Sequence, residues 1–364
     1  MTPTEAYIVL NMLPGMGAAR LRRLLDVLER PERILAARGA ELRSVQGIGP
    51  EVADAVVNWE KHVDLAAELR RIEDFGAQVI TCESPEYPPL LGQISSPPMV
   101  LYVWGEVQPR DLHAIGVVGS RRASHYGLEC AKKLGYQLAY AGLTVVSGLA
   151  RGIDTAAHQG ALAAKGRTVA VLGSGLNRLY PAENRALAEK IVESGAVVSE
   201  FPMETPPDQQ SFPIRNRIVS GWGSGLLVVE AGANSGALIT AAQALEQGRT
   251  VYAVPGPINR PTSAGSNRLI QQGAKLVAGA EDVLEEFEMF FPATPKLTAS
   301  SPLAESLAGE ERKIYDSIDD TETTMEQIIA KCGLPTPVVS STLLALEMKR
   351  FVKQLPGHFF VKLL

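Results

Sequence analysis

Between residues 111 and 279, short uninterrupted runs of Val, Ile and Leu alternate with amphipathic stretches. The runs His113–Val118, Leu143–Ser147, Thr168–Leu172, Ala196–Ser199, Leu226–Glu230 and Thr250–Val254 predict strands, with a shorter one near Lys275–Val277. The stretches near 125–141, 154–165, 183–194, 214–221, 236–247 and 266–272 predict helices. Strands that lack an apolar/polar alternation must be covered on both faces. A parallel sheet with helices on either side provides that cover. The expected fold is therefore α/β, a Rossmann-like doubly wound parallel sheet.

In an open sheet of this kind, ligands bind beyond the carboxyl ends of the strands. The turns at those ends are unusually rich in glycine. They read Gly119-Ser120-Arg121-Arg122, then Ser147-Gly148-Leu149-Ala150-Arg151-Gly152-Ile153-Asp154, then Gly173-Ser174-Gly175. Two more run from Glu230 through Ser235-Gly236, and from Pro255 through Arg260 to Ser263–Asn267. Glycine lets backbone amides approach an anion closely, and each turn opens a helix whose positive end favours negative charge. Arg121, Arg122, Arg151 and Arg260 add cations at the same edge, and Ser211-Phe212-Pro213-Ile214-Arg215-Asn216-Arg217 adds a basic segment with an aromatic. Arginines beside a Phe suit a phosphodiester strand with bases. The charge distribution agrees. Residues 110–275 carry 17 Lys and Arg against 11 Asp and Glu, whereas the whole chain has a net charge of -5. A basic middle between acidic flanks points to an anionic ligand.

Cofactor chemistry has little support in the same turns. GVVGSRR and GSGLNR do not fit G-x-G-x-x-G, the second strand ends in Ser147-Gly148 rather than an acid, and no G-x-x-x-x-G-K-[ST] occurs. Among the five histidines only His158 lies near a glycine turn, four residues after Asp154. Asp154 is expected either to cap the helix or to hold its loop through amide hydrogen bonds, and Glu230, at a strand end, is placed where it could orient the arginines. No catalytic set, metal site or cofactor is expected. Cys82, Cys130 and Cys332 are widely spaced, which suits a reducing cytosol. No apolar run reaches the length of a membrane span, so a cytoplasmic protein with no membrane partner is expected.

The flanks read differently. In residues 1–75, Leu13-Pro14-Gly15-Met16-Gly17 and Val45-Gln46-Gly47-Ile48-Gly49 each precede an apolar-periodic stretch, a pattern that resembles a tandem helix-hairpin-helix (SAM-like) module. The proline-rich segment that opens residues 76–288 holds an apolar run, Met99–Trp104, read as extended. Residues 289–306 have the composition of a linker. In 307–364, helix signals at 310–319, 323–332 and 336–349 precede an apolar hairpin from Phe351 to Val361, which reads as a winged helix.

The turns match a known family. The run Val117–Gly279 resembles DNA-processing protein A (DprA/Smf) in G-S-R at 119–121, S-G-x-A-x-G-I-D at 147–154 and G-x-G-x-x-x-x-Y-P at 173–181. The motifs continue with F-P-x-R-N-R-I-x-S-G at 212–221, S-G-A-L-I-T-A at 235–241, A-V-P-G at 253–256 and G-S-N-x-L-I-x-x-G-A at 265–274. The resemblance implies a non-enzymatic homodimer that binds single-stranded DNA through its backbone, protects it, and loads the RecA recombinase during natural transformation. It places DNA contact at Gly119, Ser120, Arg121, Ser147, Gly148, Arg151, Gly173, Ser174 and Gly175, with Phe212, Arg215, Asn216 and Arg217 as a further motif. Arg122, Ser235, Gly236 and Asn267, in the neighbouring turns, complete the candidate set. The helix near Thr336–Glu347 of the winged helix carries no Lys or Arg before Lys349, which fits a protein-contact or regulatory role at least as well as duplex docking.

Two alternatives use the same pocket: a nucleotide sensor, and an enzyme like the nucleoside-monophosphate phosphoribohydrolases. The latter carry P-G-G-x-G-T-x-x-E. Here Gly232–Thr240 is the nearest segment, with Thr240 where the glutamate would stand.

Overall fold

The computed structural model describes residues 1–287, 307, 309–319, 323–349, 351–355 and 359–362; the linker expected at 289–306 lies outside the described residues. Two compact units divide at Pro292.

The first unit is built on a nine-stranded sheet. Its strands are β1 (Gln78–Thr81), β2 (Val100–Gly105), β3 (Ala114–Val118), β4 (Thr144–Ser147), β5 (Thr168–Leu172), β6 (Ala196–Ser199), β7 (Gly225–Val228), β8 (Thr250–Ala253) and β9 (Lys275–Leu276). The order is β1-β2-β6-β5-β4-β3-β7-β8-β9. The seven strands from β3 onward are parallel and doubly wound, and the order reverses between β3 and β7. The Met99–Trp104 run becomes β2, which joins β6 antiparallel in the register Tyr102↔Ser199 and carries β1 at the outer edge.

The helices of this unit are α1 (Pro3–Met12), α2 (Ala18–Leu28), α3 (Pro31–Ala36), α4 (Gly39–Arg43), α5 (Pro50–Val57), α6 (Leu65–Phe75) and α7 (Pro89–Gly92). They continue with α8 (His125–Tyr140), α9 (Ile153–Ala163), α10 (Arg185–Val192), α11 (Ser211–Trp222), α12 (Gly236–Glu246), α13 (Ala264–Gln271) and α14 (Glu281–Leu284). Successive strand residues serve opposite faces, as the pleat requires. Leu226 and Val228 join Ile218 and Trp222 of α11 on one side, while Leu227 joins Leu134 of α8 and Ala157 of α9 on the other.

In the amino-terminal layer, glycine turns join α1 to α2 and α4 to α5; α4 and α5 pack on each other, whereas α1 and α2 both pack on α3. At their turns Gly15 and Gly47 have φ of 72° and 83°, a region that non-glycine residues enter only under strain. Arg20 of α2 donates to the carbonyls of both glycines and ties the two turns together. This layer does not stand apart from the sheet. Tyr7 and Leu10 share one core with Tyr102 of β2 and Leu172 of β5, and the buried Glu68 of α6 accepts from the Met203 amide at 2.8 Å.

The second unit holds α15 (Gly309–Asp316), α16 (Met325–Cys332) and α17 (Thr336–Met348), with β10 (Thr323–Thr324), β11 (Val352–Leu355) and β12 (Phe359–Lys362) in the order β10-β12-β11. Ile314, Ile328, Val339, Leu343 and Phe360 form its core. Three helices and a β-wing make it a winged helix. Lys349, the cation that follows α17, is held in a 2.6 Å ion pair with Glu311. Among the described residues no single helix is long and apolar enough to cross a membrane.

Candidate functional site

The turns that follow β3, β4 and β5 meet the start of α11 around a cavity of about 220 Å³. Arg121, Arg122, Gly148, Arg151, Gly173, Phe212 and Arg215 line it, together with Ala150, Tyr180 and Pro181. Helix α11 begins three residues earlier than the sequence suggests, because Pro213 is tolerated in a first turn, where its missing N–H has no intrahelical role. Phe212 and Arg215 therefore stand three apart on one helix and share a face.

Arg121 and Phe212 form the mouth of the cavity. The exposed Arg121 guanidinium stands over the Phe212 ring, 4.7 Å from its centroid, and the Tyr180 ring lies 5.9 Å from that of Phe212. The ring holds the cation in place without neutralising it. Arg121 and Arg122 have no carboxylate within ion-pair distance among the described residues. Arg151 differs, since Nη2 donates to Glu183 at 3.0 Å and Nε forms a second bond to the same carboxylate. Pairing raises the Arg151 pKa and lowers that of Glu183.

Arg215 forms the floor. It is buried, and Nη1 donates to the carbonyls of Gly148 and Val171 while Nε donates to Asn216 Oδ1 at 3.1 Å. Burial pulls its pKa down to about 10; Asp154 opposes that shift and Arg121 adds to it. Asp154 is buried too, and its Oδ2 accepts from the amides of Gly148 at 3.1 Å and Ala150 at 3.3 Å. Of the two roles expected from the sequence it takes the second: it holds the loop, while Gly152 is the N-cap of α9 and no side chain caps it. Burial raises its pKa, against the pull of Arg215 and of those amides.

His158 is structural. The Thr168 hydroxyl donates to Val145 O at 2.6 Å, so the 2.7 Å contact between His158 Nδ1 and Thr168 Oγ1 requires the proton on Nδ1. Burial lowers the His158 pKa to about 3, with Arg215 contributing, and the ring is neutral near pH 7.

The remaining candidates lie elsewhere. Gly119 and Ser120 are in the turn after β3 but do not line the cavity; the Ser120 amide donates to Glu230 O at 2.8 Å. Ser147 and Ser174 are buried, and their hydroxyls donate to Val117 O at 2.6 Å and Arg178 O at 2.8 Å. Gly175 packs against the carbonyls of Pro202 and Met203. Asn216 supports Arg215. Arg217 is held by Glu200 at 2.6 Å. Ser235 and Gly236 open α12, and the Asn267 side chain makes both hydrogen bonds to the Gly256 backbone, at 3.0 and 2.9 Å. These last three belong to the half of the sheet beyond the β3/β7 reversal.

Glu230 takes a role the sequence did not indicate. It accepts from the Ser124 amide at 2.9 Å and from the Ser124 hydroxyl, so it braces the N-cap residue of α8 across the reversal and does not orient the arginines. Tyr180 and Pro181 were missed as lining residues, and their signal was the Y-P that ends the motif at 173–181. Among the described residues no cluster of three or more His, Cys, Asp or Glu could hold a metal ion. The chemistry on offer is anion binding: arginine donors beside two aromatic faces, Phe212 and Tyr180.

Comparison with known proteins agrees with this geometry. Residues 78–288 match the family model for DNA recombination-mediator protein A, and residues 298–358 match that for the DprA winged helix domain. Protein Smf of Escherichia coli (strain K12) is 40% identical over 299 residues, 81% of this chain and 80% of that protein. The X-ray structure of DNA processing protein A from Streptococcus pneumoniae superposes with a TM-score of 0.70 at 34% identity, covering 79% of this chain and 99% of that one. DNA processing protein A from Helicobacter pylori, solved for its single-stranded DNA binding mode, gives 0.54 at 26% identity, over 60% of this chain and 99% of that one. The family model alone spans more than half of the sequence, and it spans the very turns that build the cavity; the chain belongs to the DNA recombination-mediator protein A (DprA/Smf) family.

Proposed function

We propose that this protein binds single-stranded DNA through its sugar–phosphate backbone at the Arg121–Phe212 cavity, without catalysis. In the same proposal it acts in the cytoplasm as a homodimer that protects incoming DNA and helps load the RecA recombinase during natural transformation. The observation that carries the reading is the Arg121 guanidinium, held on an aromatic ring and, among the described residues, unpaired by a carboxylate, above a buried arginine floor. Arginines read phosphates, and rings accept any base, so such a site is blind to sequence. The single-stranded DNA binding studied in the Helicobacter pylori relative supports the same choice of ligand.

The test is fluorescence anisotropy of a labelled single strand over a salt series, with duplex and AMP as competitors. Binding should weaken with salt, prefer single strand and resist AMP. Arg121→Ala should weaken binding to all sequences alike and reduce the salt slope by about 0.7. A loss confined to one sequence, or displacement of the polymer by AMP, would overturn backbone readout in favour of a nucleotide sensor or hydrolase. Faster RecA filament assembly on the same strand tests the loading step, and sedimentation velocity tests the dimer.

A further inference from the structure

The cavity accommodates only a short part of any strand, and the question is where the rest runs. A second cavity of about 440 Å³ opens between α8 and α9 and shares Arg121 and Arg122 with the first. Lys132, Gln159 and Thr155 line its far side, and Glu129 is the one acid in its wall. Lys132 is exposed and, among the described residues, has no carboxylate partner. Beyond it on α8, Tyr136 and Tyr140 follow at four-residue spacing, so all three side chains form one stripe. The two rings are nearly parallel, with 6° between planes and centroids 6.1 Å apart, and they are 40% and 55% exposed. From Lys132 to Tyr140 the stripe covers about 12 Å of helix. Gly166 packs against Ala139, which brings the exposed Lys165 to the same end.

We infer that the α8 stripe is a second segment of the single-strand track. The strand leaves the Arg121–Phe212 cavity past Arg122, passes Lys132 in the α8–α9 groove, and lays bases on Tyr136 and Tyr140. Cations spaced along a groove with aromatic faces between them are what sequence-tolerant single-strand binding requires. The stripe is continuous with the cavity through two shared arginines, which favours nucleic acid over a protein partner. This inference rests on the proposed single-stranded DNA binding and adds to it a path and a site length.

The experiment compares two oligothymidines, one of about four nucleotides that covers the first cavity and little more, and one of about twenty that can reach the stripe. Tyr136→Ala with Tyr140→Ala should weaken binding of the longer strand about fivefold or more and narrow the affinity gap between the two lengths. Tyr136→Phe with Tyr140→Phe should restore binding, since stacking needs the ring and not the hydroxyl. Lys132→Gln should lower the salt slope for the longer strand by about 0.7. If Arg121→Ala weakens binding at both lengths while the alanine pair leaves the longer strand unaffected, this track is wrong and the first reading stands. If Arg121→Ala changes neither, the first reading fails. A change confined to the sedimentation coefficient would make the stripe a contact between copies of the chain and overturn the inference.

Discussion

Gly148→Ala separates the two roles that glycine can have at this sheet edge. Gly148 does not have a positive φ, so its backbone would accept alanine. What resists is Arg215. A Cβ at 148 would stand 2.1 Å from Arg215 Nη1 and 2.6 Å from Nη2. The guanidinium must leave, and with it go its bonds to the carbonyls of Gly148 and Val171. Hydrogen bonds to a charged group contribute about 1.5–3 kcal/mol each, which sets a loss of about 3–6 kcal/mol. Arg215 borders the cavity and can regain water there, so the lower end, about 3 kcal/mol, is expected. Asp154 would also lose part of the positive field that offsets its burial.

Urea unfolding followed by tryptophan fluorescence reads this directly, because Trp59, Trp104 and Trp222 all lie in the first compact unit. The decisive measurement is a double-mutant cycle. In an Arg215→Ala background the three atoms nearest the new methyl group are gone, and Gly148→Ala should cost less than about 0.5 kcal/mol. If the two single losses instead add to within about 0.5 kcal/mol, the clash with Arg215 is not why this position is glycine.

Two further outcomes are expected. His158 is held neutral with a pKa of about 3, whereas the unfolded chain takes up its proton near pH 6.5. The unfolded state therefore binds more protons between those values, and the stability linked to His158 is complete above about pH 6.5 and lost below it, by about 2 kcal/mol at pH 5. His158→Gln, which can still donate to Thr168, should lose that acid-dependent part; urea midpoints of the two proteins that run parallel from about pH 7 to pH 5 would contradict it. At the opposite edge of the sheet, buried Arg167 is paired with buried Asp111 at 2.5 Å and also donates to Ser194 O. Arg167→Ala should cost about 3–5 kcal/mol by leaving the carboxylate buried and unpaired, with little change in single-strand affinity; a small loss in the same urea assay would refute it.

The strands of the parallel sheet were legible because burial on both faces leaves an apolar run with no alternation, as in Ala114–Val118 and Thr168–Leu172. β1 was not legible, and β2 was legible only as an extended run without a partner. Val100–Gly105 is as apolar as its neighbours, but nothing local records that its partner is Ala196–Ser199, about ninety residues on and antiparallel. The amino-terminal turns were visible as glycine pairs, yet the union of their helices with the sheet was not. That union depends on Glu68 meeting the Met203 amide and on Tyr7 entering a core with Tyr102, contacts that no spacing encodes.

The site was half legible, and the reason is chemical. A glycine that admits a phosphate and one that admits a neighbouring carbonyl look alike in sequence. Gly148 and Gly175 are both crowded, one by an arginine that lines the cavity and the other by the carbonyls of Pro202 and Met203. The arginines present the same ambiguity. Arg151 and Arg217 are held by Glu183 and Glu200, while Arg121 rests on a ring and Arg215 on carbonyls. How strongly a cation can serve an anionic ligand depends on what it already binds in the free protein, because an exposed ion pair must be exchanged for the new contact. That quantity is set by acids 32 and 17 residues away in the chain, and by whether a phenyl ring three residues before Arg215 turns toward Arg121. Motifs name the residues that reach the edge of the sheet. The partners of those residues decide which of them still carry usable charge, and by that criterion binding should depend most on Arg122 and on Arg121, which the Phe212 ring already holds in place.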